Sequence, residues 1–122
     1  MIFTTYQGAT PLQIAELADL RDIVREHYGY KHQVIKLAEE AAELAQAAAV
    51  FANDTSDENF KHLLEEAGDV DNVLHQILRG REALSGYDPT ESCLEKMRRE
   101  VKRIEEANIS VAEKLRRALG RK

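Results

Sequence analysis

Val34-Ile35-Lys36-Leu37-Ala38-Glu39-Glu40-Ala41-Ala42-Glu43-Leu44-Ala45-Gln46-Ala47-Ala48 decides the fold. Val34, Leu37, Ala38, Ala41, Leu44, Ala45 and Ala48 recur at steps of three and four, the spacing of one apolar helix face. No proline or glycine interrupts them, so the spacing predicts a helix from about Lys31 to Ala52. Asn53-Asp54-Thr55-Ser56 is a polar turn that supplies the next cap. A further helix is expected from about Asp57 to Arg81, with Phe60, Leu63, Leu64, Ala67, Val70, Val73, Leu74, Ile77 and Leu78 inward. A turn this short between two helices makes them antiparallel neighbours.

Outward from this pair, capping chemistry marks the remaining helices. Thr10-Pro11-Leu12-Gln13 offers a capping box with proline at the first helical position. The helix it opens carries Leu17, Leu20 and Val24 on one face and ends at Tyr28-Gly29. Asp88-Pro89-Thr90-Glu91 repeats the logic before a helix with Leu94, Met97, Val101 and Ile104 inward. Ser110-Val111-Ala112-Glu113 reads as another capping box, which predicts a break near Asn108 and a short final helix.

Composition agrees with this reading. Ala (16), Glu (15) and Leu (13), all strong helix formers, dominate the 122 residues, and the 14 Val and Ile form no alternating runs. We expect a single all-α domain over residues 1–122: an antiparallel helix bundle of about four main helices plus a short C-terminal helix. The longest apolar run, Ala47 to Ala52, is six residues, well below the roughly 20 that span a bilayer. Residues 1–8 carry no basic head or long apolar stretch, so no secretory signal is expected. The single cysteine, Cys93, suits a reducing cytoplasm. The net charge of −5 argues against a dedicated binder of nucleic acid polymers. That charge is uneven: residues 1–95 carry 7 basic and 18 acidic side chains, residues 96–122 carry 10 and 4.

The acids are not scattered. At 100° per residue, Glu40 and Glu43 lie about 60° apart on one helix, and Glu66 and Asp69 do the same on the next. Both pairs border the apolar stripes, which places four carboxylates across one helix–helix seam. A solvated surface glutamate usually has Lys or Arg at i+4. Here the i+4 residues are Leu44, Ala47, Val70 and Val73. Two carboxylates ~5 Å apart at an effective dielectric near 20 repel by roughly 3 kcal/mol. Such a group protonates, splays apart or takes up a cation. An all-oxygen set favours Mg²⁺ or Mn²⁺ over Zn²⁺. A di-iron bundle needs Glu-x-x-His pairs, and the chain has none.

Glu39-Glu40-x-x-Glu43, then 22 residues, then Glu66-x-x-Asp69, resembles the signature of MazG-like all-α nucleoside triphosphate pyrophosphohydrolases. Lys36-Leu-Ala-Glu-Glu-Ala-Ala-Glu-Leu44 and Leu64-Glu-Glu-Ala-Gly-Asp-Val70 carry the likeness, which covers about residues 31–80. The resemblance implies Mg²⁺-dependent hydrolysis of a nucleoside triphosphate to monophosphate and pyrophosphate. It implies Glu40, Glu43, Glu66 and Asp69 as metal ligands, with Glu39 holding another metal or orienting the attacking water. An acidic protein holds a triphosphate only through bridging cations, which also activate water.

Lys36, Asn72, Lys96, Arg99 and Arg103 are candidate substrate-binding residues. Lys96, Arg99 and Arg103 stand at i, i+3 and i+7, and Asn72 lies one turn beyond Asp69. The plain alternative for each is a solvated helix face, and for Tyr28, Tyr30 and Phe51 core packing rather than stacking on a base. Two other functions fit the same acids. Phosphoribosyl-ATP pyrophosphohydrolase shares the architecture, but the Asp-x-x-x-His pattern is missing at Asp69, where residue 73 is Val. A non-enzymatic helical interaction module would leave the acids solvated. A two-helix metal seam needs a second protomer to enclose a nucleotide, so a homodimer or homotetramer is expected, without a membrane partner.

Overall fold

Thr10 opens the first helix as its sequence requires. The Gln13 backbone N–H donates to Thr10 Oγ1 at 3.1 Å, and the Thr10 N–H donates to Gln13 Oε1 at 3.0 Å. Helix α1 (Pro11–Tyr28) runs from this box to Gly29, whose φ of +89° strains any residue with a Cβ. The Gly29 N–H closes α1 on Arg25 O at 2.8 Å, and α2 (Tyr30–Asn53) starts directly after it. Ser56 Oγ accepts the Asn59 N–H at 3.2 Å and caps α3 (Asp57–Arg79). Asp88 Oδ1 accepts the Thr90 N–H at 2.9 Å ahead of α4 (Thr90–Gly120). The structure, a computed structural model, describes residues 8–79 and 88–120. The expected end of the third helix at Arg81 lies outside the described residues. The fold is all-α, with four helices and no strand among the described residues. No described helix is long and apolar enough to cross a membrane.

The chain divides into two compact units, one holding α1 to α3 and the other holding α4. In the first, α2 and α3 form the largest interface, and they run antiparallel. Gln33 near the start of α2 meets Gln76 near the end of α3, while Phe51 meets Phe60 at the opposite end with ring centroids 5.4 Å apart. Helix α1 docks on α3 through ionic contacts. Arg21 reaches Asp71 and Asn72, Arg25 reaches Gln76 O, and Asp22 receives both Nε and a terminal nitrogen of Arg79.

The buried face of α2 differs from the one hydropathy predicts. Gln33, Glu40 and Ala47, spaced by seven, are the buried residues, with Leu37 and Leu44 partly covered between them. Val34, Ala38, Ala41, Ala45 and Ala48 lie on the exposed side, Val34 with 42% of its surface open. The physical reason is pairing. Gln33 Nε2 donates to Gln76 Oε1 at 2.8 Å, and His32 Nδ1 lies 2.7 Å from Gln33 Oε1, so the buried amide is satisfied.

Helix α4 corrects a second expectation. It runs unbroken through Asn108 and Ser110 for 31 residues, and no separate C-terminal helix follows a break there. Asn and Ser each cost only a few tenths of a kcal/mol inside a helix, about 0.5 kcal/mol relative to Ala. With no Pro or Gly between Thr90 and Leu119, that is too little to stop the helix.

Candidate metal centre

Three carboxylates converge where the middle of α2 crosses α3. One oxygen each of Glu40, Glu43 and Glu66 lies within 4.8 Å of the others. Helical geometry produces this: Glu40 and Glu43 stand one turn apart on α2, and the antiparallel register brings Glu66 of α3 alongside. Glu40 is buried, Glu66 partly buried and Glu43 exposed at the rim.

Each of the two covered acids has one oxygen facing a side chain one turn away and one without a partner. Glu40 Oε1 lies 3.2 Å from Lys36 Nζ, and Glu66 Oε1 lies 3.7 Å from His62 Nε2. Glu40 Oε2 and Glu66 Oε2 are buried with no hydrogen-bond partner among the described residues. A buried, unmatched carboxylate oxygen is costly unless something completes it. The cluster registers this electrostatically. The charge of Glu40, then that of Glu66, then burial, hold the Glu43 carboxyl above its ordinary range. Glu40 in turn raises the Lys36 ammonium above its usual value.

The expectation that these acids lack helical partners is corrected here. Lys36 stands one turn before Glu40, on its N-terminal side, and pairs with it, while His62 stands one turn before Glu66 at 3.7 Å. Lys36 is also 3.6 Å from Glu39, whose side chain is 61% exposed. Asp69 is exposed and is not one of the three acids that converge. Asn72 Oδ1 accepts Arg21 Nε–H at 3.0 Å, which engages it on the α1 side of α3. Lys96, Arg99 and Arg103 lie on α4, outside the unit that holds the acids, and Arg103 donates to Glu100 at 3.1 Å. Tyr28 stacks on His32 with centroids 4.8 Å apart, and Phe51 packs on Phe60, so two of the three aromatic candidates have neighbours of their own.

One polar group was not singled out from the sequence. Asp71, buried on α3, takes Arg21 Nη2 at 3.1 Å on one oxygen and His75 Nδ1 at 3.1 Å on the other. His75 Nδ1 is also 2.9 Å from the Asp71 carbonyl oxygen. Both neighbours are acceptors, so the imidazole carries its proton on Nδ1. The sequence does carry the Asp-x-x-x-His spacing, at Asp71-x-x-x-His75, two residues beyond Asp69. Asp71 stands five residues beyond Glu66, about 140° around α3, so this pair turns to α1 while Glu66 meets α2.

Comparison of the chain with protein-family models, with curated proteins and with solved structures found no match.

Proposed function

We propose that this chain is a divalent-metal-dependent nucleoside triphosphate pyrophosphohydrolase of the MazG-like all-α kind, cleaving between the α and β phosphates. The observation that supports it most is the pair of buried, unpartnered oxygens, Glu40 Oε2 and Glu66 Oε2, inside a cluster of three carboxylates. The donor set fits a hard ion: three carboxylates suit Mg²⁺ or Mn²⁺, and Mg²⁺ keeps several waters, so an all-protein cage is not required. Glu40, Glu43 and Glu66 would hold the ion, with Asp69 of α3 as the fourth acid of the proposed set. When bound, the cation neutralises phosphate charge and acidifies the attacking water.

The chain's own residues do the rest. Lys36 holds Glu40 Oε1 and so leaves Glu40 Oε2, with Glu66 Oε2, for the ion. Glu39 holds a further metal or orients the attacking water, whose oxygen bonds to the α phosphorus as its proton passes to solvent. The α–β bridging bond then breaks, and pyrophosphate leaves. The reading also includes a homodimer or homotetramer working in a reducing cytoplasm, without nucleic acid polymer or membrane as partner.

A panel of nucleoside triphosphates with Mg²⁺ or Mn²⁺, scored for pyrophosphate and monophosphate together, tests it. We expect equal amounts of both from at least one triphosphate, abolished by chelator. No release from any member, phosphoribosyl-ATP included, overturns the assignment.

A further inference from the structure

From Leu94 to Ala118 one stripe of α4 steps by three and four residues in turn, and Ile109 is the one large apolar residue of this stretch that lies off it. Leu94, Met97, Val101, Ile104, Val111, Leu115 and Ala118 keep the pattern, with Asn108 at one step. A sustained 3.5-residue period is the pattern of a narrow seam between two helices, not of a helix laid on a broad core. None of the residues of α4 is buried. Met97, Val101, Ile104, Val111 and Leu115 are all exposed, from 53% to 62%. The stripe is about 36 Å long at 1.5 Å per residue, more apolar surface than a solitary helix leaves to water.

We propose that α4 pairs with α4 of a second copy of this chain, antiparallel, about a two-fold axis beside Glu106. This register uses every seam position. Leu94 lies over Ala118 of the second copy, Met97 over Leu115, Val101 over Val111 and Ile104 over Asn108, so the largest side chain at the end meets the smallest. Charge selects the same arrangement. Glu100 stands opposite Lys114 of the second copy, and the symmetry makes this contact twice. Glu100 Oε2 meets Arg103 of its own helix at 3.1 Å, which leaves Oε1 for the second copy. Glu105 approaches its own symmetry mate at the axis, the one repulsive contact, and the amide of Asn108 lies beside it as a donor.

Parallel pairing in register is the competing arrangement. It stacks the two Asn108 side chains, a known use of Asn at a seam, but sets Glu100 against Glu105 twice with no attraction in return. Sliding the antiparallel pair by one heptad leaves Leu115 or Leu94 without a partner. The antiparallel register is the one that joins full apolar overlap to favourable charge.

The register places Ala107 opposite Ala107 of the second copy. The test is Ala107→Cys in the full chain, with Cys93→Ser removing the native thiol, under mild oxidation, beside sedimentation equilibrium of the parent. We expect a dimer in the parent and rapid disulfide-linked dimer from Ala107→Cys. Lys102→Cys, on the outer face of α4, should stay uncrosslinked. Val101→Glu with Val111→Glu, which places acids opposite each other across the seam, should give a monomer. A monomeric parent overturns the proposal, as does a dimer that Ala107→Cys fails to link or that survives the two glutamates. Pyrophosphate release is measured separately on the same samples, so failure of the seam and failure of the hydrolase reading are told apart.

Discussion

Removing the Arg21 guanidinium should unfold the first unit far more readily than removing both members of its ion pair. Arg21 and Asp71 lie 3.1 Å apart with side chains only 11% and 8% exposed, and Arg21 also donates to Asn72 at 3.0 Å. Deleting one partner of a buried pair costs about 3–5 kcal/mol, because the other charge stays buried without compensation. Here His75 still holds one Asp71 oxygen at 3.1 Å, which offsets part of the loss. We therefore place Arg21→Met below that range, at about 2–3 kcal/mol, or roughly 10 °C in Tm for a domain of this size. The double variant Arg21→Met/Asp71→Leu leaves no stranded charge and should melt within about 1 kcal/mol of the parent, since apolar replacement of a whole buried pair is close to neutral. Thermal melts followed by circular dichroism measure both. If Arg21→Met melts with the parent, or the double variant melts lowest, the account of how α1 is fastened to α3 is wrong.

Three further outcomes follow from the same structure. Glu43→Gln removes a proposed ligand together with its repulsion against Glu40 and Glu66, so it should lose triphosphate cleavage by orders of magnitude. Without metal its Tm should equal or slightly exceed that of the parent, with the exposed Glu95→Gln on α4 as control; retained turnover in Glu43→Gln removes this residue from the site. Arg79, then Arg25, hold the Asp22 carboxyl below its ordinary value of 3.8, so the stability this adds is present above 3.8 and lost as pH falls through the lowered value. The Tm gap between parent and Asp22→Asn should therefore be constant from neutral pH down to about 3.8, narrow below it and vanish below the lowered value; a gap that closes nearer neutrality contradicts the assignment. Ser110→Ala should leave stability unchanged or raise it by about 0.5 kcal/mol, whereas a capping serine at a helix start would cost about 1 kcal/mol when removed.

What the sequence made legible was mostly local. Thr10 with Gln13, Ser56 and Asp88 act within three residues of themselves, so their hydrogen bonds can be read from spacing alone. The same holds for Glu40, Glu43 and Glu66, because two helices joined by a short polar turn leave few ways to arrange them. The buried face of α2 was not legible in hydropathy. Gln33 is buried because Gln76, 43 residues away, offers its amide, and a polar residue satisfied at long range looks like a surface residue in the text. Arg21 and Asp71 escaped for the same reason, at a separation of 50 residues. Ser110-x-x-Glu113 misled in the opposite sense: a capping box carries weight only where the chain also has a reason to leave the helix, and between Ala107 and Leu119 it has none.

The central claim is that Glu40, Glu43 and Glu66 form a site for a divalent cation, and thermal denaturation of the full chain with Mn²⁺ or with chelator tests it most directly. A cation that binds only the folded chain should add about 2.7 kcal/mol at 100 times its Kd. The melting temperature of the parent should rise with Mn²⁺ and return with chelator, and the rise should shrink in Glu43→Gln. Superimposable melting curves for the parent in saturating Mn²⁺ and in chelator would contradict the claim.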